Sequence, residues 1–228
     1  MLRATGRLMV WATLAILALQ AWYFVQVVWW SYNDPTSTAF MRAEEERLRA
    51  EQPALRLRQQ WVPYEKISPH LKRAVIASED ANFTEHDGVD WAALEQAWQD
   101  NAKRGRVVRG GSTITMQLAK NLFLSGERSY WRKAQELVIS HMLELVMDKR
   151  RILELYLNFA EWGVGVFGAE AGARHLFGHG ADRLTIGEAA QMAAMLPNPR
   201  WFDTHRAAPR LLRKAAVIER RMAVAPLP

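Results

Sequence analysis

Five carboxylates fall within one short stretch of this 228-residue chain: Glu79, Asp80, Glu85, Asp87 and Asp90, with His86 and Gly88 among them. A run of acids is ordinarily a solvated loop. Here an apolar segment leads into it. Ser68-Pro69 offers an N-cap followed by proline at the first helical position. Beyond it, Leu71, Ala74, Val75 and Ile76 repeat at helical spacing, so the pattern predicts a buried helix whose last turn delivers Glu79 and Asp80. A carboxylate there meets the negative end of the helix dipole, and partial burial disfavours its charge. Both effects make a glutamate a stronger base, and the chemistry that suits is abstraction of a proton. His86 and Asp90 are close enough in sequence to reach back towards Glu79 through the turn at Gly88.

A second set of residues is basic. Gly110-Gly111 opens a turn, Ser112 or Thr113 can cap, and a helix carrying Gln117 and Lys120 follows. Amides at such a helix start can cradle an anion. The Gly-Lys-Ser/Thr ending of a P-loop is missing, and Ser112 is not in a G-x-S-x-G elbow. Lys120, two turns in, can reach a phosphate, although a lysine so placed is ordinarily surface. Arg128, Arg132, Lys133 and Glu136 come next. Arg132 and Glu136 are four apart, which also fits a plain surface ion pair worth a few tenths of a kcal/mol.

These groups have to be positioned by elements whose patterns are largely helical. Arg3 and Arg7 precede an apolar body from Leu8 to Trp30, longer than the roughly 20 residues that cross a bilayer. Trp22, Tyr23, Trp29 and Trp30 gather at its far end, as at a membrane–water interface. A signal peptide is the competing reading, but the run exceeds the about 7–15 residues of a signal core and ends in bulky aromatics. The pattern predicts an uncleaved anchor over 1–33, its N-terminus inside and the rest outside. Residues 34–60 suggest a stalk, with a solvated helical connector over Ala39 to Arg58 and no chemistry; the folded domain is expected over 61–228.

Trp91, Leu94 and Trp98 recur at helical spacing, which predicts core packing, with a helix dipping into lipid as the alternative that Lys103, Arg104, Arg106 and Arg109 support. Leu137 to Met147 reads as an apolar helix, and Ile152, Leu155 and Tyr156 resume the spacing. Gly163, Gly165 and Gly168 predict a flexible loop. Thr185-Ile186-Gly187-Glu188 is a capping box, and Ala208 to Val224 reads as a last basic helix. No span alternates as a strand and no repeat is present, so the fold class is mainly α. Formal net charge is +6, which suits a phosphate-bearing partner, and the absence of cysteine excludes a thiol nucleophile and thiolate metal sites.

Four motifs, EDANFTEHDGVD (79–90), GGSTITMQLAKN (110–121), RKAQE (Arg132 to Glu136) and KRRILELYLN (Lys149 to Asn158), resemble in order and separation those of the peptidoglycan glycosyltransferase family. This is glycosyltransferase family 51, which includes the N-terminal domain of class A penicillin-binding proteins. The resemblance runs from about Trp61 to Pro199. The chain holds no S-x-x-K or K-T-G, so a monofunctional member is expected. The resemblance implies a lysozyme-like, bilobed domain whose smaller lobe dips into the membrane. It implies polymerisation of lipid II onto a growing glycan strand, with inversion and loss of polyprenyl diphosphate. Carried over by motif, Glu79 is the base for the acceptor hydroxyl. Lys120, Arg128, Arg132 and Lys133 meet the diphosphate, and Glu136 orients the donor or binds a metal. Asp80 and His86 arrange Glu79, and Ser112, Thr113 and Gln117 shape the pocket.

A diphosphate leaves readily once its charge is met, so fixed cations carry much of such catalysis and a general acid matters less than in a glycosidase. A Mg2+ ion at the diphosphate is compatible with this, but the acids and His86 show no metal-ligand spacing. Expected partners are lipid II, the glycan strand and a bacterial inner membrane, with the domain on its periplasmic side. Divisome or penicillin-binding protein partners also fit the resemblance, and nucleic acid does not. A lysozyme-like hydrolase or lytic transglycosylase is the nearest alternative, though an uncharged glycosidic bond needs no such cations. A non-catalytic wall-complex scaffold is the alternative of another class.

Overall fold

Local sequence signals set where most helices begin in the computed structural model, which describes residues 2–105, 110–124 and 129–228. Two units are resolved, Met1–Thr36 and Ser37–Pro228. The first is a single helix, α1 (Leu2–Tyr32). Its stretch Thr5–Tyr32 is long and apolar enough to cross a membrane.

The second unit is mainly α. It begins with α2 (Ala39–Glu51), capped by Thr38, whose hydroxyl accepts from the Met41 amide at 3.1 Å. A two-residue strand β1 (Arg58–Gln59) precedes α3 (Pro69–Glu79), whose Ser68 cap accepts from His70. There follow α4 (Trp91–Arg104), α5 (Ile114–Phe123), α6 (Tyr130–Val146) and α7 (Lys149–Phe159). Then come β2 (Glu161–Gly163), β3 (Val166–Phe167), α8 (Ala169–Phe177) and α9 (Ile186–Met195). The chain closes with α10 (Pro199–Thr204) and α11 (Pro209–Arg221).

The apolar face predicted for α3 is fully buried, with Leu71, Ala74, Val75 and Ile76 sealed against α9 and α11. The small residues of α9 make that approach close: Ala189, Ala190, Ala193 and Ala194 are all buried. A second packing group is α5 against α6 and α7. The other two capping predictions hold as well, Thr113 rather than Ser112 accepting from Met116 at 3.1 Å and Thr185 forming its box with Glu188.

Three expectations are corrected. The glycine segment is no flexible loop but a buried hairpin: β2 pairs antiparallel with β3, and β3 pairs in parallel with β1. These strands span two or three residues, too few for alternation to register in sequence. Gly168 closes the hairpin at φ +82°, where an added Cβ would lie 2.7 Å from the Asn158 carbonyl oxygen, so only glycine fits. The connector is no solvated stalk, because α2 packs on α5 and buries Met41, Glu44 and Leu48. Nor are the tryptophans of α4 core: Trp91 is 62% and Trp98 73% exposed, while Ala97 is the residue that is buried. Arg106 and Arg109, expected beside them, lie outside the described residues.

Candidate active site

Glu79 is the last residue of α3, and its side chain is 12% exposed. Helices from four other parts of the chain converge on it. From α5, the Gln117 amide nitrogen donates to Glu79 Oε2 at 3.0 Å. From α7, the Tyr156 hydroxyl donates to Gln117 Oε1 at 2.9 Å. Ser78 Oγ donates to Glu79 Oε1 at 2.9 Å and lies 3.3 Å from the Ala193 carbonyl of α9. From α11, Lys214 Nζ stands 3.6 Å from Oε1. Burial, foremost, pushes the Tyr156 hydroxyl well above its ordinary value, with Glu79 and Asp80 adding to the effect. It therefore stays a donor.

Asp80, next in the chain, faces another way. Its Oδ2 accepts the Ile114 amide at the start of α5 (3.0 Å), and its Oδ1 meets His86 Nε2 at 2.9 Å. One carboxylate thus ties the end of α3 to the positive end of α5, where a negative charge is favoured. His86 reaches Asp80 rather than Glu79. Its Nδ1 is buried without a partner among the described residues. Asp90 does not reach Glu79 either: it caps α4 through the Ala93 amide at 2.8 Å and holds Asn82 at 2.9 Å. The Ala93 amide, Asn82 and the His86 charge together hold the Asp90 carboxyl below its usual range, against the opposing effect of burial. The turn between them uses Gly88 at φ +85°, whose carbonyl accepts from Thr113 Oγ1 at 2.6 Å.

The basic set gathers around Glu136, whose side chain is only 4% exposed. Arg132 pairs with its Oε1, and Lys133 Nζ meets its Oε2 at 2.8 Å and Ser112 Oγ at 2.7 Å. This is not the surface pair that the four-residue spacing also allowed. Burial, foremost, pushes the Lys133 ammonium down to about 8, and the Arg132 and Lys120 charges add to it. Lys120 thus shares a field with the other two cations. It sits three residues past Gln117, on the same face of α5, and its Nζ lies 5.7 Å from the Phe40 ring centre of α2. Arg128, the remaining predicted cation, lies outside the described residues.

The donor set does not fit a protein-held Mg2+. Both Glu136 oxygens are taken by Arg132 and Lys133, and among the described residues no three His, Asp or Glu side chains gather. Tyr156, Ser78 and Lys214 belong to the site but escaped the sequence reading. Tyr156 was hidden as one more apolar position of its helix, and Lys214 as one cation of a basic helix; for Ser78 there was no signal.

A family model described as Transglycosylase matches residues 45–223. The chain is also similar to proteins named biosynthetic peptidoglycan transglycosylase. The one from Bordetella pertussis is 60% identical over 222 residues, covering 95% of this chain and 92% of that protein. That of Herminiimonas arsenicoxydans is 56% identical, with 94% and 93% covered, and that of Janthinobacterium sp. is 55% identical, with 97% and 96% covered. The matched span starts inside α2 and takes in whole the helices α3, α5, α6, α7, α9 and α11 that carry Glu79, the cations and the partners of Glu79, and by that match the chain belongs to the transglycosylase family.

Proposed function

We propose that the chain polymerises lipid II, a disaccharide-pentapeptide on a polyprenyl diphosphate, into the glycan strands of peptidoglycan. Glu79 takes the proton from the acceptor sugar's hydroxyl as that oxygen attacks the donor's anomeric carbon. The bond from that carbon to the diphosphate breaks with inversion, its electron pair leaving on the diphosphate. Lys120, Arg132 and Lys133 meet the charge so released, Arg128 extending the set, and Glu136 holds Arg132 and Lys133 in place. Ser112 places the Lys133 ammonium, and Asp80, His86 and Thr113 fix the loop and helix start on either side of the base. Relatives that bear the biosynthetic name support synthesis over hydrolysis.

The observation that carries this reading is the bridge made by α5: Gln117 binds the buried glutamate, and Lys120, one turn on, shares the field of the cation cluster. Base and leaving-group charges stand on one frame. Residues 1–36 serve as the membrane anchor, with Ser37–Pro228 as the periplasmic catalytic domain. The exposed Trp91 and Trp98 of α4, with Tyr130 and Trp131 of α6, provide apolar surface for bilayer contact. A substrate with a polyprenyl tail is then met in two dimensions, at high effective concentration.

Incubation with purified lipid II tests this. The wild-type protein is expected to build glycan, and Glu79→Gln to lower the rate by about 10²–10⁴-fold, the usual worth of a positioned base. Near-normal polymerisation by that variant, or cleavage of sacculi without glycan growth, would sink the assignment.

A further inference from the structure

We infer that Tyr156 is a positioning residue for the base: through Gln117 it fixes which end of the amide meets Glu79, and so which carboxylate oxygen takes the proton. The inference rests on Glu79 acting as the base.

The geometry is a chain of two bonds across three elements. Tyr156 is 1% exposed, and among the described residues Gln117 Oε1 is the one acceptor its hydroxyl meets, at 2.9 Å. If the amide turned over, its NH2 group would face the phenol and its oxygen would face the carboxylate. The phenolic hydrogen would then be buried without an acceptor, and two oxygens would oppose each other. An unsatisfied buried donor is costly, so the amide is locked with its N–H towards Glu79 Oε2. Without the phenol, Gln117 could turn its oxygen to the carboxyl whenever Glu79 is protonated and so favour the neutral form; Tyr156 removes that choice.

The two oxygens of Glu79 therefore differ. Oε2 holds a donor that cannot be withdrawn. Oε1 holds the Ser78 hydroxyl, which has a second acceptor in the Ala193 carbonyl at 3.3 Å and can turn to it. When the acceptor's O–H bond breaks, Oε1 can receive the hydrogen while Ser78 swings its own to Ala193. Among the described residues the titratable groups around Glu79 are few: Lys214 on α11, Tyr156 on α7, and the neighbouring Asp80, which turns away to His86. Gln117 of α5 and the Ala193 carbonyl of α9 are uncharged. The locked amide donates more strongly to the ionised, base-competent carboxylate than to the protonated one, and so favours the charged form.

The test is the pH dependence of kcat/KM for lipid II polymerisation by the full chain in detergent. Tyr156→Phe keeps the ring and removes the hydroxyl, freeing the amide to turn. Its acidic limb is expected to move to higher pH by roughly one unit, the worth of one hydrogen bond to a charged group. Turnover above that limb should return to within several-fold of wild type. Gln117→Ala should move the limb the same way, and adding Tyr156→Phe to it should move it no further, since both act through one amide. A limb that stays put while Tyr156→Phe lowers the rate equally at every pH would overturn the inference, as would shifts that add in the double variant. Glu79→Gln run alongside separates the two failures. If it is inactive while the limb of Tyr156→Phe is unmoved, the positioning role alone fails. If it polymerises normally, the base assignment fails and takes the positioning role with it.

Discussion

Lys133 is held between one carboxylate and two like charges, and that balance sets a pH limit. Pushed down to about 8, chiefly by burial, its ammonium loses its proton as pH rises through that value. The sign follows: the cation is present below about 8 and absent above it. In the proposed mechanism kcat/KM for the donor should therefore fall on the alkaline side, with a midpoint near the Lys133 value. Lys133→Arg should extend the plateau to higher pH, because a guanidinium stays charged there, at some cost in rate from its different shape. An alkaline limb unchanged in the arginine variant would assign that limb to another group. In the same mechanism Glu136 is the counterweight that keeps Arg132 and Lys133 beside each other.

At the scale of elements, α2 is fastened by charge. Glu44, 2% exposed at its side chain, pairs with Arg47 and with Arg200 of α10 at 2.8 Å. Arg200 also holds Glu161 of β2 at 2.8 Å. Burial pushes the Glu161 carboxyl up to about 7 against the pull of Arg200. A carboxyl raised in the fold binds its proton more tightly than in the unfolded chain. Its contribution is thus fully present below its ordinary value of 4.5 and is lost as pH rises towards about 7. Glu161→Gln should flatten the fall in melting temperature between pH 5 and 7.5, removing a slope on the order of 3 kcal/mol at most. Melts of the two proteins across that range check it. Much of this architecture is legible in sequence wherever a cap precedes an apolar repeat, as at Ser68, Thr113 and Thr185, and the position of Glu79 follows from α3 alone. What is not legible is what depends on distant partners. Glu44 reads as one more solvated charge until Arg200 arrives from the far end of the chain. Trp91 and Trp98 repeat like core residues yet face outward. A hairpin whose strands span three and two residues leaves no period to find.

Across the whole molecule the boundary between the apolar helix and the transglycosylase domain is sharper than composition suggests. The unit from Ser37 has its own core, and α2 belongs to it. Deleting residues 1–36 should leave polymerisation in detergent within a few-fold of wild type while weakening sedimentation with membranes. Deleting residues 1–60 should cost most of the activity, because the buried Met41, Glu44 and Leu48 go with it. Equal behaviour of the two truncations in both assays would count against α2 as part of the working domain. The bond from the Ile114 amide to Asp80 then has a mechanical meaning. It clamps the tip of α3, which carries Glu79, to the root of α5, which carries Lys120, so that in the proposed mechanism α5 sets the spacing between base and phosphate-binding cation. In that mechanism a strand lengthened by one unit per cycle advances past a base and a cation held at one separation.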